Sequence, residues 1–251
     1  MMCQIMRNFL TKGISTALDW IYPPTCIACR SLLPLNFPER FICEACMRLF
    51  ETVVPPICKQ CGVTVSGDTP LCASCYGKNF HFTYNRATFP YDEVIRDMMH
   101  EIKFRKKKRV AQGLGELWAA SVVKKSFPQD GILVPVPMHP AKKRERGFNQ
   151  AEVLCRALSQ KFNIPMDELL IRTADTPPQA GLHPKLRVEN VQGVFSVRPH
   201  ADIKGSTYII IDDIYTTGAS LNECAKTIKN SGAKQILCMT FAITVKNNDK
   251  V

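Results

Sequence analysis

Short apolar runs alternate with amphipathic segments from about residue 84 onwards. Strand-like runs are NRATFPY (85–91), GILVPVP (131–137), TYIIID (207–212) and KQILCMTFAITV (234–245). Helix-like segments, with apolar residues three or four positions apart, are DEVIRDMMHEIKF (92–104), GLGELWAASVVKKSF (113–127), FNQAEVLCRALSQKF (148–162) and ASLNECAKTIKNSG (219–232). Strands that alternate with helices predict an α/β domain with a parallel sheet covered by helices on both faces.

The N-terminal segment has a different pattern. Residues 1–22 place Ile5, Phe9, Ile14 and Leu18 near one face of a predicted amphipathic helix, which two prolines then end. This face either packs against the rest of the protein or lies on a membrane surface. The sequence has neither the apolar core of a signal peptide nor a run of about 18–20 apolar residues, so we expect no transmembrane segment and a cytoplasmic protein.

Eight of the twelve cysteines form four pairs of identical spacing within fifty residues. A C-x-x-C pair holds two thiolates on one tetrahedral metal ion, so four pairs predict two structural zinc ions. Disulfides are the alternative, but they do not suit a chain without an export signal. Pairing of neighbouring pairs into two successive ribbons is favoured over an alternating cross-brace. The predicted ligands are Cys26, Cys29, Cys43, Cys46, Cys58, Cys61, Cys72 and Cys75.

The charge balance favours polyanionic partners. Lys and Arg outnumber Asp and Glu by 33 to 22, which gives a net charge of +11. The most concentrated basic segment is KFRKKKR at 103–109, and two interpretations of it stay open: a solvated helix end or a contact to nucleic acid.

The segment YIIIDDIYTTGAS (208–220) carries the strongest chemical signal. Two carboxylates, Asp212 and Asp213, follow a buried strand and precede a loop of small and hydroxylated residues. Ligands of open parallel sheets bind beyond the carboxyl ends of the strands, and the start of the next helix favours a phosphate. A ligand with one phosphate and several hydroxyls, such as a ribose 5-phosphate, would use both halves of this segment. The segment is neither a Walker A loop nor a Rossmann fingerprint.

YIIIDDIYTTGAS resembles the phosphoribosyl pyrophosphate (PRPP) motif of the type I phosphoribosyltransferases. The resemblance implies that Asp212 and Asp213 bind the ribose hydroxyls. It also implies a phosphate-binding loop made of Thr216, Thr217, Gly218, Ala219 and Ser220.

Two further segments, VPVPMHPAKKRERGFNQAEVL (134–154) and RTADTPPQAGLHPKLRVENVQGVF (172–195), resemble the ComF family of competence proteins. The resemblance covers nearly the whole chain from about residue 15. It implies a Rossmann-like, parallel-sheet phosphoribosyltransferase domain with a small N-terminal zinc-ribbon module. The predicted divisions are an amphipathic helix at 1–22, a double zinc ribbon at 23–80 and the phosphoribosyltransferase-like domain at 84–246.

The resemblance also implies the remaining site residues. The loop after the first core strand, residues 135–139 with Pro137 and His139, would bind pyrophosphate, although a histidine between prolines is more often structural. A mobile basic loop would follow, with Arg144 and Arg146 as the catalytic candidates beside Lys142 and Lys143. Further candidates for the cleft are Lys103, Arg172, Thr173, Gln179, Arg187 and Asn190.

The implied chemistry is displacement of pyrophosphate at ribose C1 with Mg²⁺ bound to the ligand. No segment of the sequence provides a clear nucleobase hood or general base, so two hypotheses stay open. One is a phosphoribosyltransferase with an unknown acceptor. The other is a factor of natural transformation that binds single-stranded DNA and a phosphoribosyl ligand, with the DNA-uptake machinery at the inner face of the membrane as a further partner.

Overall fold

The computed structural model describes residues 23–34, 41–67, 69–122, 127–128, 130–176, 186, 189–203 and 205–245. The predicted N-terminal helix at 1–22 lies outside these residues. The chain divides into two compact units, Met1–Phe50 and Glu51–Val251. The second cysteine tetrad therefore belongs to the same unit as the sheet, whereas the sequence suggested one module for both tetrads. The predicted borders at 80 and 84 stay predictions.

A four-stranded parallel sheet organises the second unit. Its strands are β1 (Asn85–Pro90), β2 (Ile132–Pro135), β5 (Thr207–Tyr215) and β6 (Gln235–Ile243), in the order β1-β6-β5-β2. The residues of β6 are buried without interruption from Ile236 to Ile243. Continuous burial of this kind occurs when both faces of a parallel sheet are covered, as the sequence predicted.

Four of the six described helices also follow the sequence pattern. A one-turn helix, α1 (Glu44–Met47), lies in the first unit. The second unit contains α2 (Glu93–Phe104), α3 (Lys108–Ser121), α4 (Pro140–Arg146), α5 (Gln150–Phe162) and α6 (Ala219–Asn230). Helix α3 packs on α5 at Gly115, where an added Cβ would lie 3.0 Å from Cβ of Ala157.

Four of the described elements were not predicted: the one-turn helix α1, two short strands and helix α4. Strands β3 (Leu170–Arg172) and β4 (Phe195–Val197) form a separate antiparallel ribbon, too short for a periodic signal. Residues 140–146 form helix α4, so the expected basic loop is wrong in its conformation. Pro140 starts this helix, the imidazole of His139 accepts from the Ala141 N–H at 3.3 Å, and Gly147 ends it with a φ of 87°.

No helix in the described part of the chain is long and apolar enough to cross a membrane.

Candidate functional site

The eight paired cysteines form two tetrads. Neighbouring pairs combine, as predicted: Cys26, Cys29, Cys43 and Cys46 form one group, and Cys58, Cys61, Cys72 and Cys75 form the other. Within each group the sulfur atoms lie within 4.8 Å of one another. The second tetrad is buried, whereas Cys29 of the first is exposed.

The sulfur geometry fits zinc. The Sγ atoms of Cys61 and Cys72 are 3.7 Å apart, and those of Cys29 and Cys43 are also 3.7 Å apart. Zinc–sulfur bonds of about 2.3 Å in a tetrahedron separate the sulfurs by about 3.8 Å, whereas a disulfide needs about 2.05 Å. Backbone N–H groups also point at the sulfurs, as from Cys72 to Sγ of Cys58 at 3.3 Å. Both tetrads therefore suit structural zinc.

The acidic pair, Asp212 and Asp213, lies on β5 at the point where one neighbouring strand has ended and the other continues. On one side, β2 pairs with β5 only as far as Ile211. On the other side, β6 pairs with β5 as far as Tyr215. The carboxylates therefore lie past the last paired residue of β2, although β5 itself continues three residues further than the sequence suggested.

Asp213 is buried and has several partners. Its Oδ1 accepts from the Ile214 N–H at 2.8 Å, and its Oδ2 accepts from the Gln150 amide at 3.1 Å. The ammonium of Lys103 is 3.5 Å from the same Oδ2. Burial opposes ionisation, but Lys103 and Gln150 outweigh it, so the pKa of Asp213 is lowered. Lys103 was a predicted cleft residue, whereas Gln150 was missed because nothing in its sequence context marks it.

Asp212 has a different environment. It is half-buried, and its Oδ1 accepts from the Asp213 N–H at 2.9 Å. Burial and the negative charge of Asp213 raise the pKa of Asp212 well above its usual range. The two carboxylates are therefore inequivalent: Asp213 holds the charge, and Asp212 takes up a proton more readily.

Residues 216–220, here called the threonine loop, follow β5 and include the first two residues of α6. Gly218 is the N-cap of α6 with a φ of 76°, which favours glycine. The Thr217 hydroxyl accepts from the Ala219 N–H at 3.3 Å. Thr216, Thr217 and Ser220 are half-buried. The loop thus places hydroxyls at the start of a twelve-residue helix, where the backbone N–H groups of the first turn and the helix dipole favour an anion.

A Gly218→Ala substitution tests how tightly this loop is built. The added Cβ would lie 2.4 Å from the Tyr215 hydroxyl, and Tyr215 is only 5% exposed and cannot easily swing away. Left-handed strain costs about 1–2 kcal/mol and overpacking about 1–3 kcal/mol, so we expect a loss of about 2–5 kcal/mol in the free energy of unfolding. Denaturant titration measures it.

Gly205→Ala is the matched control. Gly205 has the same φ of 76°, but no atom of the described residues lies within 4 Å of the position that a Cβ would take, so only the backbone strain remains. Equal losses in the two variants would contradict the close packing of Tyr215 against the loop.

The predicted pyrophosphate loop at 135–139 follows β2 and leads into α4. His139 caps this helix, and its Nδ1 is 3.9 Å from Asp175. Lys142 forms an ion pair with Asp175 at 3.0 Å, and Lys143 forms one with Glu152 at 2.6 Å.

The two arginines of α4 differ in position. Arg146 donates to Oε1 of Gln150, whose amide in turn donates to Asp213, so Arg146 is connected to the acidic pair. Burial lowers the pKa of Arg146, and the charge of Asp213 acts in the opposite direction. Arg144 is exposed and lies on the solvent side of the helix. The structure therefore brings Arg146 into the acidic network and leaves Arg144 outside it.

Of the remaining cleft candidates, Gln179 and Arg187 lie outside the described residues. Arg172 donates to the Thr176 hydroxyl, and its guanidinium lies 5.6 Å from the ring centre of Phe195. Burial lowers the pKa of Arg172, while charges that include Asp212 act in the opposite direction. The Thr173 hydroxyl donates to the backbone at Val194, a structural contact.

The basic run at 103–109 divides into two groups. Lys103 faces Asp213, and Arg105 and Lys107 form ion pairs with Glu101 at 3.0 and 2.6 Å. The other group, Lys106, Lys108 and Arg109, is exposed. One basic residue of this run thus belongs to the candidate site, and the exposed group remains available to a polyanion.

Comparisons with known proteins agree with this geometry. Residues 17–76 match the double zinc ribbon domain, and residues 149–251 match the phosphoribosyl transferase domain. The chain is therefore a double zinc ribbon protein with a phosphoribosyltransferase domain, as its sequence predicted.

The relatives agree with the resemblance that the sequence showed. The chain is 28% identical to the DNA utilization protein YhgH of Escherichia coli over 87% of this chain and 98% of that protein. It is 26% identical to Competence protein F of Haemophilus influenzae, over 84% and 93% of the two chains. It is 25% identical to Competence protein ComFC of Bacillus subtilis, over 78% and 80%. The resemblance to the ComF family of competence proteins is confirmed.

Proposed function

We propose that this protein binds PRPP or a closely related phosphoribosyl ligand at the carboxyl edge of β5. The observation that carries the proposal is the order of features along the chain there. A buried strand leads to two adjacent aspartates, of which Asp213 has a lowered pKa, and then to a loop with Gly218 as the N-cap of the next helix. The acidic pair would accept hydrogen bonds from the ribose hydroxyls. The threonine loop would hold the 5-phosphate.

The pyrophosphate of the ligand would lie towards residues 135–139 and α4. Arg146 supports this position because it already belongs to the network around Asp213. Mg²⁺ takes oxygen ligands, and it would bind the pyrophosphate with the carboxylates of the acidic pair nearby. Its chemical contribution there would be to neutralise the charge of the leaving pyrophosphate.

We further propose that the ligand serves DNA handling. The names of the relatives, which refer to DNA utilization and competence, support this assignment, as does the net charge of +11. Single-stranded DNA is the expected macromolecular partner, and the DNA-uptake machinery at the inner face of the membrane is the expected setting. A cytoplasmic location is supported by eight thiols arranged for metal rather than for disulfides.

The second candidate function is an active phosphoribosyltransferase of nucleotide metabolism. The phosphoribosyl transferase domain favours it, but no general base for an acceptor is evident among the described residues around the acidic pair. Pyrophosphate release from PRPP, measured across a panel of acceptors with and without DNA, distinguishes the two. Release that depends on one acceptor would establish the enzyme. Binding of PRPP without release would favour a ligand-regulated DNA-binding protein.

Binding of single-stranded DNA should be sensitive to salt and nearly independent of sequence. If about five phosphates are neutralised, log K should fall with log salt at a slope of about −3.5. A triple substitution of Lys106, Lys108 and Arg109 with Ala should reduce the slope to about −1.4, because each lost contact removes about 0.7. Fluorescence anisotropy at several salt concentrations measures both slopes.

The matched control replaces three exposed lysines elsewhere, Lys161, Lys229 and Lys234, with Ala. Both triple variants lose three positive charges. If only the net charge matters, the slope of log K against log salt should become less negative by the same amount in the two variants. An unchanged slope in the first variant would move the DNA contact to other residues. No binding of wild type at low salt would remove the DNA-binding part of the proposal.

A further inference from the structure

The second zinc ribbon carries an exposed aromatic ring. Tyr76 follows the ligand Cys75 and is 80% exposed, the highest value among the large apolar side chains of the described residues. A single exposed ring is ordinary on a protein surface. What sets Tyr76 apart is its immediate surroundings.

The backbone beneath Tyr76 is fixed by the ribbon. The Tyr76 N–H donates to the Cys72 carbonyl at 3.1 Å, and the Lys78 N–H donates to the Cys75 carbonyl at 3.2 Å. Cys72 and Cys75 are both buried ligands of the second tetrad. An aromatic side chain on a fixed backbone loses little conformational entropy when it binds a planar partner, because it has only two rotatable bonds.

A cavity of about 520 Å³ opens beside this turn. Cys75 and Lys78, the residues on either side of the Tyr76–Gly77 pair, both line it. So does Phe80, whose ring lies 5.1 Å from that of the buried Phe82. The volume is within the range of about 300–1,000 Å³ that small-molecule sites occupy, and it is sufficient for one nucleotide.

The rest of the cavity lining is largely polar and carries both signs of charge. Thr216, Thr217 and Gly218 of the threonine loop line it, together with Lys226 and Glu223 of α6. The ribbon, the cavity and the loop all belong to the same compact unit. An exposed aromatic ring on the turn, a second ring in the cavity lining and the ammonium groups of Lys78 and Lys226 are the components of a surface that stacks bases and follows a phosphate backbone.

We propose that the second zinc ribbon is a stacking surface for single-stranded nucleic acid. One base stacks on Tyr76, the neighbouring base enters the cavity at Phe80, and Lys78 faces the phosphate that joins them. The partner is single-stranded because bases in a duplex do not expose their faces. This inference rests on the proposed binding of single-stranded DNA, and it specifies the residues that contact the bases.

Tyr76→Ala tests the inference directly. Stacking is worth about 1–3 kcal/mol per base, so affinity for a short oligothymidylate should fall about five- to 150-fold at constant salt. The slope of log K against log salt should not change, because a neutral ring releases no counterions. Lys78→Ala should instead change the slope, making it less negative by about 0.7, because one phosphate contact is lost. Tyr76→Phe keeps the ring and should bind as wild type does.

Leu32→Ala, on the first ribbon and 68% exposed, is the control for loss of an exposed apolar side chain and should leave binding unchanged. Elemental analysis should give the wild-type zinc content in Tyr76→Ala, which shows that the ribbon is intact. If Tyr76→Ala binds the strand as wild type does, the stacking surface is wrong while the proposed DNA binding stands. If wild type binds no strand at low salt, both are wrong.

Discussion

Asp213→Asn is expected to weaken the binding of PRPP about a hundredfold. The substitution removes the charge that faces Lys103, and it places an amide N–H₂ among the donors that now point at the carboxylate. A hydrogen bond to a charged group is worth about 1.5–3 kcal/mol, and the ribose hydroxyls would lose at least one of them. Equilibrium binding of PRPP with Mg²⁺ to the two proteins measures the change.

Asp212→Asn should have a smaller effect, about tenfold. Because the pKa of Asp212 is raised, its carboxyl carries charge less readily than that of Asp213, and a neutral amide resembles it more closely. Asp130→Asn, at an exposed position just before β2, is the control and should bind as wild type does. If both site variants keep wild-type affinity, the ribose role of the acidic pair is wrong even if the loop holds a phosphate.

Cys72→Ser is expected to remove one of two zinc ions and to destabilise the unit that contains the sheet. All four ligands of the second tetrad are buried, and they share a hydrophobic core with Tyr215 and Ile243 at the ends of β5 and β6. Structural zinc in small peptides contributes an apparent 10–16 kcal/mol to folding, which is comparable to the whole stability of a domain. Elemental analysis and thermal unfolding measure the two effects.

Cys29→Ser provides the comparison. It should also remove one zinc ion, but Cys29 belongs to the other compact unit, so the sheet unit should keep its stability and its affinity for PRPP. Wild type should contain close to two equivalents of zinc. A wild-type content of one equivalent, or disulfides in place of metal, would contradict the double-ribbon assignment. Equal losses of stability in both variants would contradict the separate roles of the tetrads.

The elements with a strong periodic signal were predictable from the sequence. The buried runs around Val134, Ile210 and Met239 became strands, and the segment beginning at Ala219 became a helix, because local pattern and tertiary packing agree there. The zinc ligands and their sequential pairing were also predictable, since the C-x-x-C spacing itself determines the local geometry.

What the sequence could not give depends on contacts between distant segments. Gln150 reaches Asp213 across 63 positions, and the cavity beside Phe80 exists only because the second ribbon lies in the same unit as the threonine loop. Residues 140–146 were expected to form a loop because the family resemblance implied one. They form helix α4, which Pro140 begins and Gly147 ends. Such features have no periodic signal to detect.

Calorimetric titration of the wild-type protein with PRPP, with and without Mg²⁺, tests the central claim most directly. The account predicts saturable binding at a single site per chain, stronger when Mg²⁺ is present, with ribose 5-phosphate competing for the same site because it shares the phosphate and the hydroxyls. The absence of binding at millimolar PRPP in the presence of Mg²⁺ would contradict it, and the segment at 208–220 would then be a remnant of ancestry rather than a ligand site.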